Sequence, residues 1–131
     1  MAGVAADRRT DEDLLALEQT CELMEASISD VATAAKHDLE FHRLIAQSTG
    51  NELFLILLDS IGEALLEVRL ENLADPEERQ ATIRMHREIL SRIVTQDAEA
   101  AREAMRRHLD SVEAAWSRRT DSSADGAGRR D

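Results

Sequence analysis

Asp38 and His42 stand four residues apart in the stretch KHDLEFHRLIAQSTGN, Lys36 to Asn51. The surrounding pattern is that of an amphipathic helix, and projection at about 100° per residue puts both on its apolar stripe. The inward face reads Val31, Ala34, Ala35, Asp38, Phe41, His42 and Ile45, whereas Lys36, Glu40, Arg43 and Gln47 point away. Further along, His86 shares a face with Ile83, Leu90 and Ile93. His108 sits at the centre of a stripe of Ala101, Ala104, Met105, Val112 and Ala115. Three of the four histidines and one aspartate therefore fall at mid-helix on faces expected to be buried. His37 is turned away from Asp38 and reads as a flank residue.

Buried imidazoles need partners, and a buried carboxylate without compensation is costly. One divalent cation held by three neutral imidazoles and one carboxylate would satisfy all four side chains at once. The i, i+4 spacing lets Asp38 and His42 reach the same ion, as paired histidines do in a zinc-binding helix. Imidazole with carboxylate and no thiolate suits zinc, nickel, iron or manganese and does not choose among them. The competing reading is a set of ordinary hydrogen-bonded core histidines, since such spacings also arise by chance in charged helices.

The elements that must position these groups are helical. Among 131 residues there are one proline, five glycines, no tyrosine, two phenylalanines and one tryptophan, so the core is built from Leu, Ile, Val, Ala and Met. Thr10 is a candidate N-cap followed by Asp11, Glu12 and Asp13, with Leu14, Leu17, Cys21 and Met24 as the stripe. A second helix starts near Ser29 or Asp30 and ends at Ser48, with Gly50 suited to a left-handed C′ position. Asn51 caps a third, which is apolar round much of its circumference near Leu53 to Ile61 and is expected in the middle of the bundle. Asp75 and Pro76 open a fourth, with Glu78 in the reciprocal capping place. Asp97 opens a fifth. The expected fold is all-α, an antiparallel up-and-down bundle of about five helices around a central metal or ligand pocket. Residues 1–9 are expected to be flexible, 10–119 to form the domain, and 120–131 to be a disordered tail.

Charge narrows the function. A formal net charge of −11, from 27 acids and 16 bases, repels phosphate, so this chain is not expected to contact nucleic acid. Nor is there a basic amphipathic helix for a membrane surface. The longest apolar run, LFLILL from Leu53 to Leu58, is too short to span a bilayer, and MAGVAADRRTDEDLL has no apolar signal region. A cytoplasmic location is expected. Cys21 is the single cysteine, so no internal disulfide forms, and it reads as a small buried hydrophobe.

DLEFHRLIAQSTGN followed by MHREILSRIVTQDAEAAREAMRRHL resembles the FCD domain, the C-terminal effector-binding domain of FadR-type GntR transcription regulators. The likeness runs from about Ala5 to Trp116. In metal-binding members, an aspartate and three histidines at the positions of Asp38, His42, His86 and His108 hold the ion. The resemblance also implies six or seven helices around a cavity, a homodimer, and small organic acids such as sugar acids, lactate or dicarboxylates as effectors. The winged helix-turn-helix of such regulators does not precede Ala5, and the first effector-domain helix, with its Arg and Glu, is not recognisable. The chain therefore reads as a shortened form whose DNA contacts lie elsewhere.

Three neutral histidines and one aspartate leave a divalent ion, with zinc placed first, carrying net positive charge and open positions for a carboxylate effector. Arg69 shares a face with Leu58, Gly62 and Leu65, where Gly62 leaves room for a ligand. It is the candidate for a bidentate contact with that carboxylate, or else a solvated surface cation. Asn51 reads as a helix cap, and Met85 and Met105 as packing residues. A metal-dependent hydrolase and a metal-free dimerisation module are the alternatives. The sequence has neither HExxH nor paired Glu-x-x-His units, and an enzyme is not expected.

Overall fold

A computed structural model describes residues 1–128, with side-chain surroundings for residues 1–121. Seven helices and no strand occur among the described residues: α1 (Ala2–Arg8), α2 (Asp11–Ala26), α3 (Val31–Ser48), α4 (Glu52–Ser60), α5 (Gly62–Leu73), α6 (Pro76–Val94) and α7 (Ala98–Gly128). The caps follow the local chemistry. Thr10 and Asp13 form a reciprocal capping box, at 2.9 and 3.1 Å. Asp30 accepts from the Thr33 amide, Asn51 from Leu53, Asp75 from Glu77 and Asp97 from Ala100. Gly50 takes φ 71° after α3, the left-handed conformation expected there. Gln96 adopts φ 56° after α6, a position where the sequence offers no glycine as a signal.

The count of five helices is corrected to seven by two features. The first is α1, in place of a flexible segment over residues 1–9. Ala2, Gly3, Ala5 and Ala6 are buried against α7 and α6. A Cβ added at Gly3 would stand 3.0 Å from the Ala98 carbonyl oxygen. Arg8 Nη1 donates to the Thr49 carbonyl beyond α3, and Arg9 Nη2 to the Val94 carbonyl ending α6. These cations meet the orphan carbonyls and negative dipole ends of two helices. Small side chains permit that close approach, and they are also why no apolar stripe announced the helix.

The second feature splits the third expected segment. The helix ends at Ser60 and restarts at Gly62 around Ile61, whose φ of −109° and ψ of 9° depart from helical values. An added Cβ at Gly62 would meet nothing within 4 Å, so the glycine sits at the helix break facing open space, beside a surface pocket that Leu58 and Leu65 also line. The expectation that this segment lies mid-bundle is also overturned. No residue of α4 is buried, and Leu53, Ile56, Leu57 and Ile61 are each more than half exposed. All-round apolarity here marks an edge helix whose main packing partner is α3.

At the other end, α7 continues through Thr120 to Gly128 where a disordered tail was expected, and residues 129–131 lie outside the described residues. Extending an already nucleated helix costs far less than starting one, so a run of Ser, Asp and Ala without large apolar residues can continue it.

The main core joins α1, α2, α3, α6 and α7 through Ala5, Leu17, Cys21, Phe41, Ile45, Ile89, Ile93 and Ala101. A second cluster sets Met24, Ala34 and Ala35 against Leu73. Burial pushes the Cys21 thiol up to about 12, despite the opposing charge of Arg87, as suits a packing residue. α3 packs closely on α2 and α5, but its backbone faces α6 and α7 across a wider gap. That gap holds the imidazoles.

Candidate metal centre

Four side chains from three helices meet in the gap. Asp38 and His42 come from successive turns of α3, His86 from mid-α6 and His108 from α7. Asp38 Oδ1 lies 3.1 Å from His86 Nε2 and 3.8 Å from His42 Nε2, and His42 Nε2 lies 3.4 Å from His108 Nε2. One donor atom from each of the four falls within 4.8 Å of all the others. Donors about 2.1 Å from a common ion stand roughly 3.0–3.4 Å apart in octahedral or tetrahedral arrangements. The 3.1 and 3.4 Å separations of this cluster match that range, and the 3.8 Å separation lies just above it.

Burial sets the electrostatics. Asp38 is fully buried, His86 and His108 are each 1% exposed, and the His42 side chain retains 16%, which marks the open side of the cluster. Burial pushes His42 down to about 4, reinforced by His86 and Arg69 and opposed by Asp38. Burial likewise pushes His108 down to about 2, with His86 and His42 adding to it. Both imidazoles are thus neutral at neutral pH, with lone pairs free to donate. Burial alone would raise the Asp38 carboxyl, but its contact with His86 and the charge of Arg69 outweigh that. They hold it well below the usual carboxylate range.

The donor set fits a divalent ion on a second count. Asp38 Oδ1 and His86 Nε2 are buried and face each other at 3.1 Å with no other polar partner. Buried polar groups are normally satisfied, so converging orphans call for a further partner. The remaining Asp38 oxygen, Oδ2, accepts a 2.6 Å hydrogen bond from Arg69 Nε, which fixes the carboxylate and directs Oδ1 to the cluster. Phe41, one turn before Ile45, stacks on His86 at 4.1 Å between ring centroids and holds that ring's plane.

All four residues singled out as ligands come together. Arg69 lines the cavity, and the alternative of a solvated surface cation is overturned. It is buried, and its guanidinium engages Asp38 and, at 3.5 Å, Thr82 Oγ1, while Nη1 has no partner. Thr82 and Asn72 were not identified from the sequence. Thr82 is one turn before His86, and Asn72 is one turn after Arg69 with both side-chain polar atoms buried and unpartnered. Their i±3 and i±4 spacing from Arg69 and His86 was the available signal. A cavity of about 260 Å³ adjoins the cluster, with Asp38, His42, Arg69 and His108 at its polar end.

A small helical domain organised around a buried histidine–aspartate cluster, with a cavity against it, is the class that fold and site define. The chain belongs to the FCD domain family, whose model matches residues 1–111. It is similar to the HTH-type transcriptional repressor NanR of Edwardsiella tarda (strain FL6-60), 34% identical over 115 residues, covering 86% of this chain and 44% of that protein. NanR repressors of Enterobacter sp. (strain 638) and Salmonella newport (strain SL254) are 31% and 30% identical, with the same 86% and 44% coverage. The chain spans less than half the length of these relatives. No helix among the described residues is long and apolar enough to cross a membrane.

Proposed function

We propose that this chain is an effector-sensing domain of a transcription regulator, in which Asp38, His42, His86 and His108 hold one divalent metal ion and a small carboxylate binds beside it. The observation that carries this reading is the convergence of four donors at ion-like spacing, with Asp38 Oδ1 and His86 Nε2 otherwise unpartnered. The regulatory setting is drawn from relatives named as transcriptional repressors.

A bound ion would supply a Lewis-acidic point of positive charge for the effector's carboxylate. Zinc stands first for an imidazole-rich donor set, with nickel, iron and manganese as the alternatives. The protein's own residues do the rest. Arg69 keeps Asp38 ionised and oriented, and as a residue lining the cavity it places a positive charge beside an entering carboxylate. His42, the exposed ligand, lies where an entering acid would first meet the cluster. Movement of α3 against α6 and α7 would then report occupancy, because the ligands come from these three helices.

Sensing is favoured over hydrolysis because Asp38 is the single acid lining the cavity and is already bound to Arg69, which leaves no carboxylate as general base. A homodimer belongs to the same proposal. The apolar side chains exposed on α4 are what a second copy would cover, and sedimentation velocity reads the outcome.

Thermal denaturation with zinc and with a carboxylate, added separately and together, tests the reading. Stabilisation by the acid only when zinc is present supports it. Acid binding indifferent to zinc refutes the metal-anchored effector.

A further inference from the structure

We infer that the effector is a monocarboxylate with an apolar body, and that the cavity selects against hydroxylated acids of the same size. This rests on the sensing role proposed above and adds the class of molecule sensed.

The polar side chains of the cavity sit together at one end, at Asp38, His42, Arg69 and His108. The remaining wall is made by Met1, Leu39 from α3, Leu58 from α4, Leu65 and Val68 from α5, and Met105, Leu109 and Val112 from α7. None of these side chains carries an N–H or O–H donor, and the two thioether sulfurs are only weak acceptors. A carboxylate seated at the polar end would therefore direct the rest of the molecule onto hydrocarbon.

A hydroxyl on that part of the molecule would surrender its water hydrogen bonds and find none in return, which disfavours it roughly tenfold per group. A methylene in the same place gains roughly three- to fourfold. The volume of about 260 Å³ accommodates roughly eight or nine groups at about 30 Å³ each, the size of a short-chain or branched acid. A polyhydroxylated sugar acid has hydroxyls along its whole length and would meet this wall with every one of them.

Isothermal titration calorimetry of the full chain, loaded with zinc and assayed for zinc content, tests the inference with propanoate, butanoate, pentanoate and 4-hydroxybutanoate. The last exchanges the terminal methyl of pentanoate for a hydroxyl too far from the carboxylate to share its anchor. Affinity should rise roughly three- to fourfold with each methylene, and 4-hydroxybutanoate should bind roughly tenfold more weakly than pentanoate. Leu65→Gln should weaken pentanoate by a similar factor, placing it in this cavity.

A flat series, tighter binding of 4-hydroxybutanoate, or a Leu65→Gln variant of unchanged affinity would overturn the inference while one zinc per chain kept the metal reading intact. The same rising series in zinc-free His86→Ala protein would uphold the apolar class and remove the metal anchor. Protein that takes up no zinc and binds none of the acids would overturn both.

Discussion

Arg69 Nε donates to Asp38 Oδ2 at 2.6 Å, joining α5 to α3 with both side chains buried. An ion pair removed from water gains from mutual attraction only what geometry and further hydrogen bonds secure, and losing one partner leaves an uncompensated charge. Arg69→Met should therefore destabilise the metal-free chain by about 3–5 kcal/mol in urea denaturation. It should also weaken metal binding by roughly 10–100-fold in competition with a chromophoric chelator, because Asp38 loses the group that orients it. A variant with wild-type stability and metal affinity would show that the pair contributes nothing to either.

Asp38 itself couples metal to folding. Saturating zinc at about 100 times its dissociation constant should stabilise the wild-type chain by about 2.7 kcal/mol, since the ion binds the folded state preferentially. In Asp38→Ala the zinc-induced shift of melting temperature should vanish. An equal shift in both proteins would place the ion elsewhere.

Two histidines of the cluster, His42 partly and His108 fully buried, set the acid side of the stability profile. His42 falls from its ordinary value of 6.5 to about 4 and His108 from 6.5 to about 2 in the folded chain, chiefly through burial. Between those values and 6.5 the unfolded state binds more protons, so stability is complete above about pH 6.5 and declines as pH falls toward 4. Asp38, held low, acts in the same direction at still lower pH. Melting temperatures of the chelator-treated chain should fall steadily from pH 7 to pH 5. A rise over that range would contradict the burial assigned to these imidazoles.

The sequence made the four-residue cluster legible because chemistry and periodicity conflicted there: Asp38, His42, His86 and His108 occupy stripes that otherwise hold only Ala, Leu, Ile, Val, Met and Phe. Caps at Thr10, Asn51, Asp75 and Asp97 were equally legible, since each requires one short polar side chain at one position. The partner of Arg69 was not, because 31 residues separate it from Asp38 and helix periodicity gives a face but no neighbour. α1 escaped notice because Ala and Gly give no amphipathic contrast. α4 was placed inside because apolar composition states what a face would bury, without saying that this chain supplies the cover.

Ala5 separates a packed α1 from a flexible one. It is fully buried, so Ala5→Leu should destabilise the chain by about 1–3 kcal/mol through overpacking against α6 and α7. A loosely attached segment would absorb the larger side chain, and urea denaturation indistinguishable from wild type would contradict the packing described for residues 2–8.

Plasma mass spectrometry of the untagged chain, purified without added metal and compared with His86→Ala, tests the four-ligand centre most directly. One zinc, nickel, iron or manganese per chain in the wild type, lost in the variant, is the result expected from four converging donors. No bound metal, even after reloading, would contradict the centre and leave Asp38 neutralised by Arg69 alone.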